Sequence, residues 1–185
     1  MAHDVAELLH LLWRLNDKDD VRQSLEGPSA PCADIATLAP ETTMPLSPLL
    51  RARFAYAGAW DRAAFGQTWP GLAQIAATTA LVRDRPRHVG HVATMSGAFP
   101  VQVGPSRIAL YGLDAARGDA TYLVWCTDTV EPAVCAFYGG GCDRFLDLSG
   151  YLAFLVGERS HDDSAEMMPG TSPPRTRRSW CSAVA

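Results

Sequence analysis

Three cysteines, Cys126, Cys135 and Cys142, stand close together in the stretch YLVWCTDTVEPAVCAFYGGGCDR, beside a triple glycine. Thiols at such density suggest a metal site or a nucleophile. Zinc takes four Cys or His ligands, commonly supplied as close pairs with two to four residues between them. Here eight and six residues intervene, so no pair has that spacing. His88 and His91 are three apart in HVGHVATM, a segment read as a strand, where they point to opposite faces. The expectation is no metal and no cofactor.

A cysteine nucleophile needs a thiolate in an electropositive, accessible setting with a partnered base. Cys126 and Cys135 have Val, Ala, Trp and Phe nearby and read as small hydrophobes. Cys142, expected in a loop, has Asp143 beside it, whose charge opposes a thiolate. YGGGCDR lacks the patterns that cradle phosphate and reads as a turn. No residue is assigned a catalytic role.

Five loop carboxylates remain, on Asp114, Asp119, Asp128, Glu131 and Asp143. Gathered at one end of a sheet, they make a negative rim suited to a basic protein. Trp60 and Trp69 flank an expected loop, AWDRAAFGQTW, and are of the type that anchors interfaces; plugging the core is the alternative for them. These seven residues are the candidate partner-binding set.

The elements that position them follow from periodicity. The chain has 185 residues, 48% hydrophobic and 19% charged, with a formal net charge of −4, which fits one globular domain with tails. The acidity argues against a nucleic-acid partner. The first twenty residues read as neither a signal peptide nor a membrane span, and five cysteines at irregular spacing read as reduced thiols, so a cytoplasmic location is expected and no membrane partner.

Asp4 and Glu7 open a helix with Val5, Leu8, Leu9, Leu12 and Leu15 on one face, and residues 17–26 continue as a short helix. Residues 27–45 hold four prolines and read as an extended connector. Ser47-Pro48 caps a second helix burying Leu50 and Phe54, and Pro70 opens a third carrying Ile75, Thr79 and Val82.

Past Pro86 the pattern turns to alternation, with strands expected in HVGHVATM, FPVQVG, RIALYGL, TYLVWC and AVCAFY. TYLVWC is apolar on both sides, as a central covered strand is. Ser149 caps a closing helix, and residues 159–185 read as a disordered tail. The fold expected is α+β: N-terminal helices on an antiparallel meander of five to six strands, with a closing C-terminal helix. The divisions are a helical segment 1–26, a connector 27–45, a domain 46–158 and the tail.

Within that frame, Leu113-Asp114, Gly118-Asp119, YLVW, Glu131-Pro132 and Ser149–Leu155 fall in the order found in the C-terminal half of SUKH domains. Residues 104–158 resemble that superfamily. The resemblance implies a small α+β binding domain of the kind common in bacterial immunity proteins that neutralise toxins, with regulatory members as well. It implies a protein partner, a basic toxin domain among the possibilities, and no catalytic set to transfer. The alternatives are a small hydrolase or transferase using loop acids or Cys142, and a regulatory scaffold acting through its basic tail. Oligomeric state is not readable from the sequence.

Overall fold

The computed structural model of the chain describes residues 4–18, 22–99, 102–126 and 129–157. Helix α1 (Val5–Lys18) buries Val5, Leu8, Leu9 and Leu12 at helical spacing. Strand β1 (Ser24–Leu25) follows in place of the expected second short helix. The Pro-rich connector contains a hairpin of β2 (Asp34–Ala36) and β3 (Thr43–Pro45), paired Ile35 to Met44.

Helix α2 (Pro48–Tyr56) starts where expected. The Ser47 hydroxyl accepts from the Leu50 amide at 3.4 Å, and Pro48 occupies the first turn, where no amide is needed. Strands β4 (Trp60–Ala64) and β5 (Gln67–Trp69) then form a hairpin where a loop was expected. Its two turn residues, Phe65 and Gly66, have φ of 52° and 74°, the left-handed pair that matches the twist of two-residue hairpins. Phe65 is held in this disfavoured conformation by stacking on Tyr138, ring centroids 3.8 Å apart.

Helix α3 (Leu72–Val82) turns Ile75, Thr79 and Val82 inward. Helix α4 (Pro86–Ala98) is a correction: HVGHVATM is helical, not a strand, and buries His88, His91 and Met95. FPVQVG is not a strand over its described part, since Gln102–Gly104 is irregular. The meander β6 (Ile108–Leu113), β7 (Ala120–Val124), β8 (Ala133–Tyr138) and β9 (Gly141–Phe145) is antiparallel throughout. Helix α5 (Leu148–Leu155) is capped by Asp147, whose carboxylate accepts from the Gly150 amide at 2.8 Å, rather than by Ser149.

The main sheet has seven strands in the order β1-β4-β5-β6-β7-β8-β9. The fold is α+β, with strands covered on both faces. One face carries Ala109, Tyr111, Leu123 and Val134 under α1, α2 and α5; the other carries Ile108, Leu110, Tyr122 and Cys135 with Val82, Met95 and Phe99. Every residue of β7 is buried, as its two-sided apolar pattern requires. Helix α1 packs on α2 and α5 and shares their core. The expected tail, 159–185, lies outside the described residues. Among the described residues no helix is long and apolar enough to cross a membrane.

Candidate binding site

The meander has two ends, and the five nominated carboxylates divide between them. Asp114 and Asp119 sit in the β6–β7 turn, and Asp143 lies in β9 close to the β8–β9 turn. Glu131 and the position of Asp128 belong to the β7–β8 connection at the opposite end; Asp128 itself lies outside the described residues. A single acidic rim does not form.

The carboxylates at the first end are bound within the chain. Asp119 is buried, with one oxygen 2.6 Å from Arg87 and the other accepting from the Gly139 amide at 3.4 Å. Asp114 accepts from the Ala116 and Arg117 amides at 2.9 and 3.0 Å and lies 3.8 Å from the Arg117 guanidinium. Asp143 accepts from the Tyr138 hydroxyl. These side chains fix two turns, and arginines stand beside Asp119 and Asp114. Sequence position alone does not distinguish such a carboxylate from a solvated one.

The second end is different. Val130 is 74% exposed, the largest exposure of any large hydrophobic side chain described. Leu146 is 40% exposed and lies at the same end of the sheet, since Val134 pairs with Phe145 at the start of β8 and the end of β9. Glu131 anchors the connection, its Oε1 accepting from the Leu49 amide at 3.1 Å, at the first turn of α2. Asp147 caps α5 nearby. Both carboxylates meet helix N-termini, which favour negative charge. The exposed Arg107 precedes β6 at this end as the opposing charge. Two exposed apolar side chains thus stand at this end, Val130 on the β7–β8 connection and Leu146 between β9 and α5, with Glu131 and Asp147 engaged at helix N-termini beside them.

Trp60 and Trp69 do not reach the surface. Both are fully buried, 5.4 Å apart edge to face, with Trp13 6.0 Å from Trp60. The Trp60 indole N–H donates to Gln23 at 3.1 Å. They are core residues, the alternative that their sequence setting offered.

The cysteines fall into the second core. Cys135 is fully buried, and Cys126 and Cys142 pack against the same cluster. Cys142 lies in β9 opposite Phe137, half-buried, rather than in a loop. Hydrogen bonding with Cys142 and burial push the Cys135 thiol well above its ordinary pKa, and burial raises that of Cys126 against the pull of Arg107. Neither is primed to ionise. Among the described residues no group of three or more His, Cys, Asp or Glu could hold a metal ion.

One polar cluster escaped the sequence reading. Its residues are His88 and His91, on the inner face of α4, and Tyr122 of β7. The Nδ1 atoms of His88 and His91 lie 2.5 and 3.2 Å from the Tyr122 hydroxyl oxygen. His91 stacks on Phe137 with ring centroids 4.0 Å apart. A hydroxyl donates one hydrogen bond, so one imidazole accepts it and the other carries its proton on Nδ1 and donates back. Burial, then His88 and Arg87, lowers the pKa of His91 to about 4, against the raising effect of Asp119; burial, with Arg85 and Arg87, lowers that of His88. Burial also raises Tyr122. Three neutral groups in mutual hydrogen bonds clamp α4 to the sheet. The signal available in the sequence was the spacing of His88, His91 and Met95 after a first-turn proline.

No protein-family model, no curated protein and no solved structure matches this chain.

Proposed function

We propose that the chain is a non-catalytic protein-binding domain of immunity type. It docks the β7–β8 end of its sheet on a basic surface of a toxin and blocks that surface by occlusion. The observation that carries this reading is the pair of exposed apolar side chains, Val130 and Leu146, at the end of the sheet that also holds Glu131 and Asp147. Apolar anchors desolvate the centre of an interface, and surrounding charges set the partner's sign and speed its approach. The turn is braced before binding by Glu131 on α2, which lowers the ordering cost of association. The resemblance of residues 104–158 to SUKH domains points the same way. A hydrolase centred on Cys142 and Asp143 has less support, because the thiol is packed in a strand and the carboxylate is bonded to Tyr138.

Affinity capture from native cells at low and high salt, with wild type and Val130→Lys side by side, tests the reading. A basic protein held by wild type and released by salt is expected, with Val130→Lys weakening binding at least about tenfold. Capture of nothing at any salt, or capture indifferent to Val130→Lys, rejects this binding surface.

A further inference from the structure

The two faces of the sheet carry separate cores, and α4 belongs to one of them. The face under α1, α2 and α5 holds Ala109, Tyr111, Leu123 and Trp125; α4 adds Met95, Phe99 and the half-buried Val92 to the other. Losing α4 therefore leaves the first core whole, with Val82 of α3 still on the second face. The helix is poorly suited to persist by itself, since Gly90 and Gly97 lie inside it. A turn at residues 83–85 precedes it, and irregular backbone at Gln102–Gly104 follows.

Much of what holds α4 down is polar. Arg87 pairs with Asp119 at its first turn; at its last, Ser96 donates to the Val103 carbonyl at 2.8 Å and Arg144 to the Ala98 carbonyl at 2.6 Å. Between these ties stand His88 and His91, their Nδ1 atoms on the single Tyr122 hydroxyl and their ring centroids 5.6 Å apart. That arrangement needs one imidazole to accept from the hydroxyl, and a protonated ring has no lone pair to do so. Charging both rings also sets two cations side by side in a buried place, with Arg85 and Arg87 on the same helix. The neighbouring elements offer little to offset that charge. Asp119, ahead of β7, is the carboxylate that acts on His91, and it is shared between Arg87 and the Gly139 amide. Strand β8 presents the Phe137 ring and the Cys135 thiol, β9 the Cys142 thiol and Arg144, and β6 the apolar Ile108 and Leu110.

From these features we infer that α4 is an acid-released flap: protonation of His88 and His91 lifts it from the sheet while the rest of the domain stays folded, uncovering the apolar face of Ile108, Leu110, Tyr122 and Phe137. This opening makes no use of Val130 or Leu146, so it stands or falls independently of the proposed function. Once α4 is free, His91 regains its ordinary pKa of 6.5, against about 4 when closed, and the open form takes up protons that the closed form refuses. The closed form is thus favoured fully above pH 6.5 and progressively less as pH falls toward 4. Between pH 7 and 5 the opening constant rises about 20-fold through His91, and His88, whose pKa is also lowered, adds to it.

Amide hydrogen exchange of the full chain, resolved by peptide and corrected for the intrinsic pH dependence of exchange, reads the opening directly. At both pH 7 and pH 5, amides of α4 are expected to be less protected than those of α1 and α5, which open only with the whole fold. Low urea should speed exchange in α1 and α5 yet leave α4 nearly unchanged, because lifting one helix exposes little surface. The opening constant of α4 should rise about 20-fold or more from pH 7 to 5, and His91→Leu should remove most of that rise. Equal protection of α4, α1 and α5 in the wild type overturns the inference, since α4 then opens only with the rest. So does a wild-type rise below about threefold, or one that His91→Leu leaves intact.

Discussion

Arg53 brings a positive charge into the core, fully buried, with no carboxylate in salt-bridge range among the described residues. Its Nη1 and Nη2 atoms donate to the carbonyls of Ala57 and Gly58 at 2.5 and 3.1 Å, just past the end of α2. Its guanidinium lies over Phe54, Trp69 and Tyr111, 5.1 to 5.9 Å from their ring centroids. Helix-end carbonyls and aromatic faces take the place of a counter-ion. A lysine keeps the charge but has neither the fork nor the flat face, so Arg53→Lys should cost more than about 2 kcal/mol by urea denaturation. Tyr122 offers a second test. Tyr122→Phe strands the Nδ1 atoms of His88 and His91 in a buried place and should cost about 1–3 kcal/mol. A loss below half a kcal/mol in either variant would mean that the side chain's polar contacts contribute little.

Helix α4 is the element on which pH acts. His88 and His91 are neutral in the folded chain, and both have folded pKa values below the ordinary 6.5, about 4 for His91. As pH falls through 6.5 the unfolded chain takes up protons that the folded chain refuses. Stability is therefore full above that value and declines toward pH 4, where the His91 contribution levels off. Between pH 7 and 5, His91 alone accounts for about 2 kcal/mol. Urea titrations at those two pH values should show a smaller difference for His91→Leu than for wild type; equal differences would remove the histidine as the cause. This element was also the least legible in the sequence. Val89, Val92 and two glycines, Gly90 and Gly97, weaken helix propensity and imitate alternation, and packing of the His88–His91–Met95 face overrides them. The hairpin of β4 and β5 was missed because its turn depends on Phe65 adopting a positive φ, a cost met by Tyr138 from far along the chain. By contrast α2, α3 and the meander β6–β8 were readable, since caps and apolar periods there agree with the tertiary arrangement. Of the candidate site, the Glu131-Pro132 turn was legible. That Asp119 and Asp143 are occupied within the chain, and that Leu146 and Val130 fall at the same end of the sheet, depends on register, which no local pattern carries.

At the scale of the whole molecule, the first helix and the last complete one another. Leu8, Leu9 and Leu12 of α1 share a core with Leu148, Tyr151 and Leu152 of α5, and Trp13 reaches Trp60 in β4. The N-terminal helix is thus built into the same core as the meander, and the tryptophans at positions 13, 60 and 69 report on the junction between them. A core closed by the two ends of the domain favours all-or-none unfolding, because losing α1 uncovers α5 and the sheet beneath it. Leu9 is fully buried at the centre of this contact. Leu9→Ala should cost about 2–5 kcal/mol and lower the whole transition rather than add an early phase. Far-ultraviolet dichroism follows all the helices, while tryptophan fluorescence draws on five residues, three of them at the junction. The two curves should coincide in urea for wild type, and should shift together in the variant. If helical signal were lost ahead of fluorescence in the wild type, α1 would be unfolding as a separate segment, and the closed core described by its contacts would not be the unit that folds.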